Sequence, residues 1–467
     1  MLYFFTKAPY KTFPKEWLDY FENLDINDIL KFDELMHNSE KVPKSLKEFY
    51  CQLEGQSLHE LIPYDDNSET IKLDYDEQRG FKVKKIHEVT HLCPFIHKKC
   101  EEYGITHIVD IGAGQAYLPQ ILSSRYCLHC VGIESKQHNV DQTIERIKTS
   151  KQTLQGSLSM ICCSMFLTDS IDNFEHIAFG PSISPFSDKV IPCTAETSNM
   201  MIGLHACGDL SCTVLRLFAN PQCHFQSVVL VTCCYGLLSE QDSFHNTNNL
   251  KEDNLHKLST ININNNNDNN KQDNINSNID IDTVPHVIVP QCSECPQVFG
   301  YPMSRHVHLK LGHFSRNLMA QNVENITDST YVHLCFKKYL YRALMQVIFV
   351  EKFPQFTDPL KSPVGTIPKA KTESFVEYAR YVLTKFKCLD QVTEEYLQSI
   401  YDRYKPLHIV LACFWILQCK LAPLLESVVH IDRVFFLLEN GIHSEIYNVF
   451  NRNISPRSLV IVAHKTK

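Results

Sequence analysis

Asp110, Gly112 and Gly114 are spaced two residues apart in Val109-Asp-Ile-Gly-Ala-Gly-Gln115, behind an apolar run at 105–111 and ahead of a helical segment at 117–125. Strand, glycine turn and helix in that order form a turn for a nucleoside or a phosphate, because glycine lets the backbone bend sharply and approach a ligand. A dinucleotide turn needs a third glycine where this chain has Tyr117, and a carboxylate at Asp110 would repel a pyrophosphate. That carboxylate suits the ammonium of S-adenosylmethionine instead, with Gly112, Ala113 and Gly114 forming the turn beneath it. Glu134 ends the next apolar run, 24 residues after Asp110, where it is placed to accept hydrogen bonds from both ribose hydroxyls. A tight turn that holds no ligand is the competing reading.

Two later segments are dense in reactive side chains, Leu204-His-Ala-Cys-Gly-Asp-Leu210 and Thr232-Cys-Cys-Tyr-Gly236. Both follow apolar runs, and in an open parallel sheet ligands sit outside the carboxyl ends of the strands. His205 and Asp209 are candidates to orient a substrate or accept a proton from a loop facing the reacting methyl, and Tyr235 to close over the acceptor. Cys207, Cys233 and Cys234 with His205 resemble a zinc set, but they lack a paired C-x-x-C knuckle. Covalent catalysis would need an activated thiolate in an electropositive pocket. The expectation is that these cysteines fill tight space and that no metal is bound. Cys292 and Cys295 with His306, His308 and His313 make a second apparent metal pattern, set aside because only His308 and His313 have a ligand-pair spacing.

The elements that must position these residues are legible in the hydrophobic period. Apolar residues recur at helical spacing from Lys15 to about Leu61, and a second helix opens at Phe81 and runs to about Tyr103. Short apolar runs at 105–111, 128–133, 158–166, 200–204 and 228–231 then alternate with helical segments, the pattern of a parallel sheet covered on both faces. Residues 261–280 are half asparagine and have nothing to bury, so 241–285 reads as a disordered insert. From 331 to 439 the pattern is helical, Gly441 stands at an expected helix C-cap, and runs at 443–450 and 458–463 close the chain as an antiparallel hairpin. The organisation expected is a helical region at 1–80, sheet strands one to five at 81–240, the insert, a helical region at 286–440 and the hairpin at 441–467. The fold class is α/β, a seven-stranded Rossmann-like methyltransferase sheet with a C-terminal antiparallel hairpin, an N-terminal helical region and a large helical insertion.

Composition narrows the classes further. With 467 residues, 44% hydrophobic and 21% charged, most of the chain is globular. A net charge of −8 argues against a surface built to coat nucleic acid or an anionic membrane. The 19 cysteines are odd in number, and the apolar start at 1–5 stops at Thr6-Lys7 with no small-residue cleavage site behind it. Reduced thiols in a cytoplasmic or nuclear protein are expected. The nine apolar residues at 409–417 are too few to span a bilayer.

The run Lys84-Lys-Ile-His-Glu-Val89, the turn from Val109, Gly203-Leu-His-Ala-Cys-Gly-Asp-Leu210, Cys233-Cys-Tyr235, Gly300-Tyr-Pro-Met-Ser304 and Ser455-Pro-Arg-Ser-Leu459, in this order, resemble the methyltransferase-like protein 25 family. That family includes relatives named for a ribosomal RNA adenine dimethylase domain. The resemblance covers most of the chain from about residue 80, the asparagine-rich insert excepted. It implies an S-adenosylmethionine-dependent methyltransferase, with Asp110, Gly112, Gly114 and Glu134 matching the cofactor motifs. The family usually has glycine where this chain has Ala116, which narrows the turn without removing the site. The His-x-Cys-Gly and Cys-Cys pieces are also similar to eukaryotic tRNA ribose 2'-O-methyltransferases, which carry Cys-Cys-His-His where this chain has Cys233-Cys-Tyr-Gly236. The partner expected is a methyl acceptor, RNA or protein ahead of a small molecule, and no membrane. Kinship and the basic helix start Lys82, Lys84 and Lys85 favour RNA; the acidic balance favours a protein or a small molecule. The competing class is a nucleoside-binding or scaffold protein that keeps the fold without transferring methyl groups.

Overall fold

The apolar runs become strands His107–Ile111 (β1), His129–Glu134 (β2), Ser157–Cys162 (β3), Asn199–Cys207 (β4) and Ser227–Cys233 (β5). The closing hairpin supplies Ser444–Asn448 (β6) and Leu459–His464 (β7). They form one seven-stranded sheet of order β3-β2-β1-β4-β5-β7-β6, in which β1 to β5 are parallel and β7 runs antiparallel to both neighbours. Chain order reverses between β1 and β4, so the crevice for a ligand opens at the carboxyl ends of those two strands. The computed structural model describes residues 3–149, 156–165, 170–180, 193–240, 299–319, 329–358, 364–365, 367–368 and 371–465. The asparagine-rich insert, Cys292 and Cys295 lie outside them.

Alternate residues along each strand pack against opposite layers, because successive side chains point to opposite faces. Ile108, Cys130, Met200, Val229 and Val460 meet the helices Val83–Tyr103 (α1), Tyr117–Arg125 (α2) and Gln137–Lys148 (α3). Val109, Val131, Met201, Val228 and Ile461 meet Ile171–Ala178 (α4) and Asp209–Ala219 (α5). Gly312–Leu318 (α6) and His408–Glu439 (α7) complete the helices that bear on the site. The C-terminus of α7 closes as expected, with Gly441 at φ 73 and the Ile442 N–H donating to Leu437 O at 2.9 Å.

The chain divides into two compact units, Met1–Leu61 with Gln321–Leu424, and Ile62–Ala320 with Leu425–Lys467. The first boundary therefore falls at residue 61, where residue 80 was expected. Ile71, Leu73 and Phe81 pack with the sheet unit's core, and Arg125 of α2 donates to Glu77 and to Lys72 O. In the first unit the two helical regions share one core, in which Trp17, Phe21, Phe32 and Tyr50 pack with Leu344, Tyr378, Leu397 and Trp415. Residues 425–439 of α7 belong to the sheet unit.

The nine-residue apolar count understated α7, since the helical stretch Glu394–Glu439 is long and apolar enough to cross a membrane by length and composition. Glu426, His430, Asp432 and Arg433 are nevertheless buried within the protein. Asp432 accepts the backbone N–H groups of Met303 and Ser304, each at 2.9 Å, and Arg433 donates to Val429 O. Charges matched to protein partners are the mark of a core helix.

Candidate active site at the carboxyl ends of β1, β2, β4 and β5

Gly112 and Gly114 take φ values of 78° and 59°, in the left-handed region where glycine alone is free of strain. A Cβ on Gly114 would meet no atom within 4 Å, so the space above that residue is open to a ligand. Ala116 also lies in the left-handed region, at φ 51°, which gives this chain a modestly strained turn. Arg146 of α3 holds the turn from outside, donating to Gln115 O and Gln120 with its guanidinium 4.4 Å from the Tyr117 ring centroid. Nothing in the sequence pattern singled that arginine out.

Asp110 lies beneath the turn, buried rather than lining an open wall, and its Oδ1 has no hydrogen-bond partner among the described residues. Burial pushes its carboxyl up to about 7, aided by Glu134 and opposed by Lys85. Glu134 is already engaged: Oε2 accepts the Gly114 N–H at 2.9 Å, and Oε1 accepts from the Lys136 N–H and Asn139 Nδ2. Each carboxylate oxygen has about two acceptor positions, so this arrangement leaves room on Oε2 for one ribose hydroxyl where the sequence suggested two. An orphaned buried carboxyl oxygen, an open glycine turn and a fixed acidic strand end together fit a cationic nucleoside.

His205 is in a strand, where the sequence suggested a loop. β4 is nine residues long, and the register with β5 shifts between Leu204 and Ala206, a bulge that places His205 at φ 70°. Bulges and strained backbone of this kind re-aim a side chain. Here the imidazole Nε2 meets Glu88 Oε1 of α1 at 2.8 Å. Glu88 is fully buried, accepts the Ser455 hydroxyl at 2.7 Å, and pairs with Lys84 and Lys85 at 3.3 and 3.0 Å. Burial would raise its carboxyl, but the His205 hydrogen bond and the two lysines outweigh that and hold it well below the usual carboxylate range. Burial also lowers His205, partly offset by Glu88. An ionised carboxylate only accepts, so Nε2 carries the ring proton and Nδ1, which has no partner among the described residues, keeps its lone pair. Glu88 stood in a quoted sequence run without being singled out.

Two further candidates are placed differently from expectation. Asp209 opens α5 with Oδ1 accepting the Ser239 N–H at 2.8 Å, and a Cβ on Gly300 would fall 2.0 Å from the same oxygen. It clasps the segment after β5 and packs against the segment at 300. Tyr235 is buried, with its hydroxyl donating to Glu426 at 2.8 Å beneath Arg457, whose Nη1 donates to the same carboxylate at 2.8 Å. It is therefore part of the core and no lid. Tyr235→Phe is expected to lower stability by about 1–3 kcal/mol in thermal denaturation, the usual cost of a lost buried hydrogen bond, with cofactor affinity unchanged.

Thus segments far apart in the sequence meet in space: Glu88 with His205 and Ser455, Tyr235 with Arg457 through Glu426, and Asp209 against Gly300. His306, His308 and His313 form no metal-ligand group among the described residues.

A family profile described as a methyltransferase domain matches residues 84–241. A protein of Mus musculus named probable methyltransferase-like protein 25 is 28% identical over 496 residues, covering 82% of this chain and 75% of that protein. The Homo sapiens protein of the same name is 22% identical over 500 residues, covering 82% of this chain and 74% of its own length. A solved structure of M. capricolum TrmK in complex with S-adenosyl-homocysteine is 16% identical and covers 31% of this chain and 54% of that chain, with a TM-score of 0.20, a superposition too loose to bear on the chemistry.

Proposed function

We propose that this chain, which carries a methyltransferase domain and resembles the methyltransferase-like protein 25 family over most of its length, is an S-adenosylmethionine-dependent methyltransferase. The observation that carries the reading is the turn at the carboxyl end of β1: open above Gly114, tied to Glu134, and underlain by a buried carboxyl oxygen with no partner among the described residues. S-adenosylmethionine supplies an electrophilic methyl on a sulfonium. Glu134 would hold the ribose, and Asp110 would compensate the cofactor's positive charge from beneath the turn. Methyl transfer is an in-line displacement, so the protein's main task is to align the acceptor and exclude water. If the acceptor is a hydroxyl or an amine, it loses one proton as it gains the methyl. His205 Nδ1, held in its accepting tautomer by Glu88, is a group equipped to take that proton.

The acceptor is a macromolecule in this reading, RNA or protein. The case for RNA from the basic helix start is weaker in three dimensions, because Lys84 and Lys85 both neutralise the buried Glu88. Steep loss of binding with rising salt supports phosphate contacts; its absence favours protein. Calorimetry with S-adenosylmethionine tests the function: heat of binding is expected for the full chain and loss of it for Asp110→Ala. A tritiated-methyl transfer assay on lysate lacking the protein, digested separately with RNase and protease, then identifies the acceptor class. Cofactor binding without label transfer to any fraction favours the scaffold reading.

A further inference from the structure

The sulfurs of Cys207, Cys233 and Cys234 all lie within 4.8 Å of one another. Cys207 and Cys233 are register partners on β4 and β5, with Sγ atoms 2.9 Å apart, and Cys233 Sγ is 3.7 Å from Cys234 Sγ. Cys233 is buried, whereas Cys207 and Cys234 reach solvent. Cys234 takes φ 52° and ψ 47°, a left-handed conformation that costs a non-glycine residue about 1–2 kcal/mol. Such strain is found where the position of a side chain matters. The positive charges of Lys84 and Arg457 act on Cys207 and Cys234 respectively.

We infer that Cys207, Cys233 and Cys234 form a three-thiolate site for a thiophilic metal ion, zinc, with its fourth coordination position open. Zinc–sulfur bonds of about 2.3 Å in tetrahedral geometry set sulfur–sulfur separations of about 3.8 Å. The Cys233 and Cys234 pair already has that separation, and the pair with Cys207 opens by somewhat under 1 Å through a rotation of the partly exposed Cys207 side chain. The alternative use of these groups, a disulfide between Cys207 and Cys233, employs two sulfurs and gives no reason for the third to converge on them. The missing C-x-x-C knuckle is no obstacle, since strand register brings Cys207 to Cys233 and the turn after β5 adds Cys234. His205 is not the fourth ligand, because its Nε2 is held by Glu88 and it lies outside the cluster. An open fourth position is the arrangement of zinc sites that engage water or a reactant atom.

Cobalt(II) is the probe. Titrating the reduced, chelator-treated full chain with cobalt is expected to raise thiolate-to-metal charge-transfer absorption and the intense d–d bands of a tetrahedral site. Saturation should come at about one equivalent, and zinc should displace the signal. Binding should also release protons, read by calorimetry in buffers of different ionisation enthalpy. Cys207→Ser and Cys234→Ser, at positions that reach solvent, should each abolish the bands while leaving the metal-free melting temperature unchanged. Cys51→Ser, in the first unit, should keep them. Absence of charge-transfer bands, or bands that survive both cluster substitutions, overturns the site. So does a Cys207 to Cys233 disulfide found by peptide mapping of the metal-free chain in the same reducing buffer.

Discussion

Asp110→Asn is expected to make the ligand-free protein more stable at pH 8 while removing most of its affinity for S-adenosylmethionine. The wild-type carboxyl is buried, has an unpartnered oxygen and titrates at about 7 against an ordinary 3.8. Below pH 4 it is protonated in both folded and unfolded chains and has no effect on the balance. Between pH 4 and 7 the unfolded chain has released the proton and the folded chain has not, so stability falls as pH rises, and it levels off above 7. The accumulated cost is on the order of 4 kcal/mol, since each unit of pKa difference corresponds to about 1.4 kcal/mol. Asparagine removes that slope, so its melting temperature should exceed wild type at pH 8 and the gap should narrow steadily as pH falls, closing only near pH 4. Cofactor binding has the opposite requirement, an ionised carboxylate facing a cation. Wild-type affinity should therefore weaken by up to tenfold per pH unit below 7, whereas the variant's affinity should be flat with pH and lower by about 10- to 100-fold at pH 8. Calorimetry across pH 5.5–8.5 with parallel thermal melts reads both effects. A variant that is less stable at pH 8, or binds as tightly as wild type, removes Asp110 from the cofactor site.

The second large effect is at Glu88. Glu88→Ala leaves the His205 ring N–H, the Ser455 hydroxyl and two lysines without their shared carboxylate, and a cost of about 3–5 kcal/mol is expected in chemical denaturation. Glu88→Gln keeps an oxygen for Ser455 and His205 but no longer enforces the tautomer by charge. It should fold, bind S-adenosylmethionine as wild type does, and lose turnover by about 10- to 100-fold. His205→Ala should lose at least as much turnover with unchanged cofactor affinity. If Glu88 acts through the imidazole, the double variant His205→Ala with Glu88→Gln will turn over no more slowly than His205→Ala alone, because the two residues form one unit. Should the histidine only brace the strand, His205→Ala will lower the melting temperature, weaken cofactor binding together with turnover, and be partly repaired by His205→Asn.

Much of this protein is written locally. The strand-turn-helix at Asp110, the five apolar runs and the Gly441 cap could be read from sequence, since hydrophobic period and glycine punctuation are properties of adjacent residues. From those alone the fold class follows, and with it the placing of Glu134 beside the glycine turn at the carboxyl ends of the strands. Strand ends were less legible: the run at 200–204 grew to Cys207, because a bulge let pairing with β5 continue past His205.

The division of labour at the site was decided only by tertiary structure. The partner of Ser455 is 367 residues away on α1, the Tyr235 hydroxyl finds Glu426 across 191 residues, and whether Cys207 faces Cys233 depends on the register of two strands. A residue's type limits what it can do, but its protonation state and role depend on which groups enclose it and how much water is excluded. Asp209 and Tyr235 have the chemistry of catalytic groups and are occupied by structural bonds, while Glu88, one acid among many in the sequence, is buried where it can set the tautomer of His205.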